Sequence, residues 1–142
     1  MTSFADIGEQ ARPLFVYGTL QPGGVYWAAY CAGRVAVVTQ EAWVYGRLYA
    51  LPEGYPALTT GTDRVYGAVL ALRDAETLVR IDALEDFEPN RPVAENLYDR
   101  RMAPWYFPDN KPGGTAWIYV MTETRALAMA GHYLPEGRWP LK

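Results

Sequence analysis

The sequence predicts an α+β fold: a small closed or partly open mixed β-barrel of about six strands, one main helix over about residues 75–87 and a short C-terminal helix. Thirteen glycines and eleven prolines separate many short apolar runs, a spacing typical of short strands joined by turns. Two of these runs contain an internal glycine, which indicates a bulge or a tight bend that curls a sheet. One segment alone has strong helical periodicity, so helices form a small part of the fold.

Each predicted strand is an apolar, β-favouring run that ends at a turn signal. The first begins at Leu14 and runs into the turn at Gly18-Thr19, which Gln21–Gly24 continue. The internal glycines are Gly46 and Gly67. Further strands are predicted over residues 35–39, 43–51, 65–72, 98–103 and 115–120.

The main helix is predicted from its ends and its apolar stripe. Asp74 is a suitable N-cap because its carboxylate can accept hydrogen bonds from the first-turn N–H groups. Leu78, Ile81 and Leu84 recur at helical spacing, and Pro89 cannot continue a helix. A second, shorter helix is predicted over residues 124–130, with Gly131 as its C-cap.

Length and composition predict one domain over residues 1–142, with residues 1–12 as a flexible N-terminal extension. The net charge of −3 and the absence of a Lys/Arg cluster argue against nucleic-acid binding. One histidine and the single cysteine, Cys31, cannot supply a zinc site or an internal disulfide. No signal peptide or membrane-spanning run is visible, so we expect a cytoplasmic protein without a membrane partner.

Two segments point to a functional site. After the first strand, the backbone N–H groups around Gly18 are freed from the sheet and can form a nest for an anion or a carbonyl oxygen. Glu85 falls seven residues after Leu78 and four after Ile81, so it projects from the apolar face of the helix. A carboxylate there either ends in solvent at the edge of the stripe or lies in a cavity. In a cavity, desolvation raises its pKa and makes it a usable base.

Three motifs in this order resemble the gamma-glutamylcyclotransferase-like family, also called AIG2-like. They are Tyr17–Leu20, the Asp-x-x-Glu of Ile81–Glu85, and the Tyr-x-Arg of Tyr98–Arg101. The resemblance covers roughly residues 14–120. Two departures are visible: a long segment after Glu85 that contains Pro89–Pro92, and Gln21 where the family often has Lys or Arg.

The resemblance implies a cofactor-independent and metal-independent enzyme, a monomer or a homodimer, that acts on a small γ-glutamyl amide. The substrate's own α-amine would attack its γ-carbonyl and release 5-oxoproline and a free amine. Glu85 would be the catalytic acid/base, and Tyr17, Gly18, Thr19 and Leu20 would hold the glutamyl part. Tyr98 and Tyr17 would donate hydrogen bonds to the substrate or, alternatively, serve only as core aromatics.

Three alternatives stay open at this point. The chain could be a non-catalytic binding or interaction module of the same fold, a cyclotransferase that removes a γ-glutamyl protecting group in biosynthesis, or a structural barrel that leaves Glu85 exposed. The discriminating observation is whether Glu85 faces a cavity that is also lined by Tyr17–Leu20. The sequence does not identify the amine that the γ-glutamyl group carries.

Overall fold

The computed structural model describes residues 12–141, so all but the last residue of the expected extension 1–12 lies outside the described part. It contains six strands, three short α-helices and one 3₁₀ turn. The strands are β1 (Leu14–Val16), β2 (Val35–Ala50), β3 (Pro56–Leu72), β4 (Asp99–Tyr106), β5 (Pro112–Val120) and β6 (His132–Leu134). The helices are α1 (Trp27–Tyr30), α2 (Ala75–Leu84) and α3 (Glu123–Ala128), and the 3₁₀ turn covers Val93–Glu95.

Five strands form a ring, which confirms the predicted barrel. The sheet order is β3-β1-β5-β4-β2-β6, and β2 also pairs with β3, so the ring closes. β1 runs parallel to β5 and antiparallel to β3, so the sheet is mixed. β2 meets β4 at Trp43 and Tyr106, whose rings stack 4.3 Å apart, and its far end pairs with β6.

The strand boundaries differ from the predicted ones where the chain bends without leaving the sheet. Residues 35–39 and 43–50 belong to one strand, β2, and residue 51 follows it, because register shifts on both sides of Thr39 absorb the polar stretch between the two predicted strands. Glu41 has a φ of 60°, which places the bend there. β3 begins at Pro56 rather than at residue 65, since its N-terminal half also pairs with β2. The short elements α1 and β6 were not predicted.

The two internal glycines act differently. A register shift lies between Gly46 and Arg47, which confirms the predicted bulge. Gly67 instead lets β1 approach closely, because a Cβ there would lie 2.1 Å from the carbonyl oxygen of Val16. Both glycines are therefore needed where strands of the ring come together.

Helix α2 begins as predicted and ends earlier. Asp74 caps it, accepting a hydrogen bond from the Thr77 amide at 2.8 Å. The helix stops at Leu84 instead of residue 87 because Asp86 adopts the left-handed conformation, with a φ of 54°. The Phe87 amide then donates to the Asp82 carbonyl at 2.9 Å, which closes a Schellman turn. Glu85 is therefore the residue at the helix C-cap, held on the turn rather than within the helix.

Helix α3 ends in the same kind of turn, which corrects the predicted cap. Thr122 caps its start, and the helix covers Glu123–Ala128 rather than residues 124–130. The left-handed residue is Ala130, with a φ of 61°, and not Gly131. The Gly131 amide donates to the Ala126 carbonyl at 2.8 Å, so the glycine follows the cap instead of forming it.

Apolar residues pack in two clusters. One fills the ring of strands and includes Phe15, Leu48 and Val69. The other lies between the sheet and α2 and includes Ile81 and Tyr119. The end of β1 and the end of α2 meet at the border of these clusters, and the candidate site lies there.

Candidate active site

The loop after β1 carries the predicted backbone donors. It is held by its own turns, since the Gln21 amide donates to the Gly18 carbonyl at 3.1 Å and the Tyr26 amide donates to the Thr19 carbonyl at 2.9 Å. Within residues 12–141, the amides of Gly18, Thr19 and Leu20 have no acceptor. Such neighbouring free N–H groups can bind an anion or a developing oxyanion.

Gly18 lies against the start of β3. A Cβ added to Gly18 would lie 2.5 Å from Cγ and 2.7 Å from Cδ of Pro56, closer than real Cβ contacts allow. A proline ring has little freedom to move aside. A side chain at Gly18 would therefore be obstructed.

Tyr17 is a structural bridge in this structure. Its hydroxyl donates to the Tyr119 carbonyl of β5 at 2.7 Å and accepts from the Leu58 amide of β3 at 3.2 Å. β1, which separates β3 from β5, ends at Val16. The phenol thus continues the sheet where β1 stops, and burial raises its pKa well above the usual range.

Tyr98 is held in a similar way. Its hydroxyl donates to the Pro56 carbonyl at 2.6 Å, and its ring packs 6.3 Å from that of Tyr55. The hydroxyls of Tyr17 and Tyr98 are thus engaged with backbone groups, as expected for core aromatics. Hydrogen bonding by either hydroxyl to a substrate stays a prediction.

The cavity beside these groups contains every predicted site residue. It is lined by Phe15, Val16, Tyr17, Gly18, Thr19, Leu20, Tyr55, Pro56, Glu85, Tyr98 and Tyr119. Glu85 therefore faces the same cavity as the Tyr17–Leu20 loop, and the structure does not have the exposed Glu85 of a plain scaffold.

Glu85 is in an unusual electrostatic position. Burial, together with the nearby charge of Asp82, raises the pKa of its carboxyl to about 7. In residues 12–141, neither an ion pair nor a hydrogen bond to the carboxyl offsets these effects. A carboxyl with this pKa can take up and release a proton near neutral pH, as a general acid/base must.

Asp82 lies one helical turn before Glu85 and is held by two partners. Nη1 of Arg100 lies 2.9 Å from its Oδ2, and the Tyr119 hydroxyl donates to its Oδ1 at 2.6 Å. Burial raises the pKa of Asp82, while the Tyr119 hydrogen bond and the Arg100 charge act against that rise. The Asp and the Arg of two separate sequence motifs thus form one ion pair next to the cavity.

Sequence reasoning did not assign a site role to five of the lining residues, of which Phe15 and Val16 belong to β1. Tyr55 and Pro56 form a Tyr-Pro pair where the β2–β3 connection meets β3, and the proline there was a usable turn signal. Tyr119 alternates with Ile118 and Val120 along β5, and period-two alternation could have placed it on the Glu85 side. The contact of its hydroxyl with Asp82 had no sequence signal.

A metal site, a cysteine nucleophile and a membrane-spanning helix each have requirements that residues 12–141 would have to meet. No group of three or more His, Cys, Asp or Glu side chains could hold a metal ion in this part of the chain. Cys31 is fully buried, and burial raises the pKa of its thiol to about 11, so it is a poor nucleophile. None of the described helices is long and apolar enough to cross a membrane.

Comparison with known proteins shows the family of this chain. A family model described as "Gamma-glutamyl cyclotransferase, AIG2-like" matches residues 14–141. The chain belongs to the AIG2-like gamma-glutamyl cyclotransferase family. Two bacterial relatives carry gamma-glutamylcyclotransferase as a provisional name. The one from Halalkalibacterium halodurans is 31% identical over 70% of this chain and 83% of its own length. The one from Vibrio cholerae is 32% identical over 80% of this chain and 85% of its own length.

Solved structures show the same family fold. The Escherichia coli protein ytfP has a TM-score of 0.63 at 24% identity and covers 89% of this chain and 95% of its own. A mouse AIG2-like protein has a TM-score of 0.57 at 19% identity over 78% of this chain and 76% of its own. Bacillus subtilis YkqA has a TM-score of 0.64 at 21% identity over 90% of this chain, which spans only 39% of YkqA.

Proposed function

We propose that this protein is a γ-glutamyl cyclotransferase that releases 5-oxoproline and a free amine from a small γ-glutamyl amide, with Glu85 as the general acid/base. One observation carries the proposal: Glu85, whose pKa is raised to about 7, shares a cavity with the free amides of the loop after β1. The family membership of residues 14–141 supports the same reaction class.

Binding in this proposal depends on the backbone of the loop. The amides of Gly18, Thr19 and Leu20 have no acceptor among residues 12–141, and all three residues line the cavity. They would bind the substrate's α-carboxylate or the oxygen that becomes negative when the γ-carbonyl is attacked. Because nucleophile and electrophile belong to one molecule, the protein mainly has to hold the substrate in a folded, attacking conformation.

Proton transfer would be the task of Glu85. Its carboxylate takes one proton from the substrate's α-ammonium, and the resulting amine attacks the γ-carbonyl carbon to form the ring C–N bond. As the bond to the leaving nitrogen breaks, protonated Glu85 returns its proton to that nitrogen. The ring nitrogen gives up a second proton, which ends on the departing amine. The atoms balance without a water molecule or a cofactor.

The direct test measures 5-oxoproline release by the wild type and by Glu85→Gln. The substrates are γ-glutamyl amines, γ-glutamyl amino acids and glutathione. The glutamine keeps the size of the side chain and cannot exchange protons, so we expect turnover to fall about 10²–10⁴-fold. A matched control is Glu88→Gln, which neutralises an exposed carboxylate three residues away and should keep full activity. Full activity of Glu85→Gln would contradict the proposed role.

The same screen decides between the enzyme and a non-catalytic module. A module would bind a γ-glutamyl compound in this cavity without releasing 5-oxoproline. Binding by calorimetry with no product from any substrate, in a protein that is folded, would overturn the catalytic proposal and favour the module.

A further inference from the structure

Arg100 is buried beside the candidate site without lining the cavity. Its Nη1 lies 2.9 Å and 3.1 Å from the two carboxylate oxygens of Asp82, and each side chain is only 11% exposed. The guanidinium lies 4.4 Å from the ring centre of Trp117 and 5.2 Å from that of Phe87. Its Nε is buried and has no hydrogen-bond partner among residues 12–141. Removing such an ion pair from water is costly, so a gain in stability is a weak explanation for its burial.

The partner of Arg100 is built into the turn that carries Glu85. The Asp82 carbonyl accepts the Phe87 amide at 2.9 Å and closes that turn. The Asp82 side chain is fixed by Arg100 and by the Tyr119 hydroxyl at 2.6 Å. The charge of Asp82 in turn acts on Glu85. Arg100 is therefore paired with the carboxylate whose charge acts on Glu85, and that carboxylate belongs to the residue that closes the Glu85 turn.

We propose that Arg100 is a positioning residue for Glu85: by pairing with Asp82 it fixes the charge and orientation of that carboxylate, and so sets the pH range in which Glu85 acts as a base. This inference rests on the proposed function for its catalytic meaning. The electrostatic part concerns the free protein and is testable without any substrate.

The charged and titratable groups around Glu85 come from helix α2 and from four other parts of the fold. Asp82, from helix α2, acts on Glu85 directly. Arg100, from β4, acts on Asp82. Four phenols interact with the Glu85 charge and stay neutral because their pKa values are raised: Tyr17, Tyr55, Tyr98 and Tyr119. The exposed Glu53 acts on Tyr55 and Tyr98. Asp82 and its Arg100 partner are thus the charges through which Glu85 can be tuned.

Removing the guanidinium should make the two carboxyls a strongly coupled pair. In Arg100→Met, the Asp82 charge loses its counter-ion, so the last proton of the Asp82–Glu85 pair should leave at a pH higher by about one unit or more. Asp82→Asn should act in the opposite direction, because it removes the like charge and lowers the titration midpoint of Glu85. The amide can still accept hydrogen bonds from Arg100 and Tyr119.

The test is an NMR titration of side-chain carboxyl carbons in labelled, substrate-free protein, followed by kcat/KM against pH. Arg101→Met is the matched control, since Arg101 is 58% exposed and pairs with Asp99 at 2.8 Å. We expect the highest midpoint of the pair to rise in Arg100→Met only, and the acid limb of kcat/KM to move with it.

Two outcomes would overturn the inference. In the first, the Asp82 and Glu85 carboxyls titrate at the same pH values in folded Arg100→Met as in Arg101→Met. Arg100 would then have a purely structural role. In the second, the titration midpoint of Glu85 is the same in Asp82→Asn as in the wild type. This variant tests the inference even if Arg100→Met does not fold. An absence of 5-oxoproline release from the wild type would count against the proposed function instead, because the titration does not depend on turnover.

Discussion

Gly18 and Pro56 are in contact so close that a Cβ on Gly18 would lie 2.5 Å from Cγ of the proline. The contact joins the loop that offers free amides to the first residue of β3. The carbonyl of the same proline accepts a hydrogen bond from the Tyr98 hydroxyl. The loop therefore keeps its place against β3 only while position 18 lacks a side chain.

Gly18→Val should weaken substrate binding while the barrel stays folded. The branched side chain would push the loop off Pro56 and turn its amides away, so we expect KM to rise at least about tenfold, the cost of roughly 1.4 kcal/mol of binding. Kinetics and far-UV circular dichroism check this. The double variant Gly18→Ala/Pro56→Ala removes the obstructing ring and should recover more activity than Gly18→Ala alone. An unchanged KM for Gly18→Val would exclude the loop as the substrate cradle.

The pH dependence of kcat/KM should report Glu85. The base must be ionised, and its pKa is raised to about 7, so kcat/KM should rise with pH and level off above about pH 7. Below that pH, each unit of acidification should cost about tenfold. Rates measured from pH 5 to 9 under saturating and limiting substrate check this. A profile that is flat between pH 5 and 7 would mean that the essential base is a different group.

Glu85 should also make the folded protein less stable as pH rises. Below the ordinary glutamate pKa of 4.5, the carboxyl is protonated in both the folded and the unfolded chain. Between pH 4.5 and about 7 the unfolded chain ionises first, so this group's contribution to the free energy of unfolding falls, by up to about 3 kcal/mol.

Urea unfolding of Glu85→Gln and wild type at several pH values measures that contribution. The variant should gain stability relative to wild type as pH rises from 5 to 7, with a constant difference at higher pH. Glu88→Gln should show no such growing difference. A difference that shrinks with pH would reverse the assigned sign and show that the carboxylate is stabilised in the folded state.

Tyr17→Phe should lower the free energy of unfolding more than it lowers kcat/KM. It leaves the Leu58 amide and the Tyr119 carbonyl without their shared hydroxyl, and a buried group that loses its partner costs about 1–3 kcal/mol. Tyr45→Phe is a control at a 54% exposed tyrosine. Urea unfolding and kcat/KM are the two readouts. A large loss of kcat/KM with unchanged stability would instead indicate that the Tyr17 hydroxyl serves the substrate.

Local sequence patterns predicted the parts of the site that depend on local rules. The turn after β1 follows from a glycine at a strand end, and the direction of Glu85 follows from its spacing to Leu78 and Ile81. The early end of α2 did not follow, because its left-handed residue is Asp86 and not glycine. The link from Arg100 to Asp82 is also beyond local rules, since 18 residues separate the partners and only the packing of β4 beside α2 joins them.

The cavity is assembled from segments far apart in the chain: the end of β1, the start of β3, the turn after α2, and residues in or next to β4 and β5. No contiguous fragment contains it, so opening any one of these segments dismantles it. A ligand bound there should therefore slow hydrogen exchange across the barrel by the factor 1 + [L]/Kd, which corresponds to a stabilisation of RT ln(1 + [L]/Kd). The slowest amides of β2 and β3, far from the ligand, should respond as strongly as those of the loop beside it.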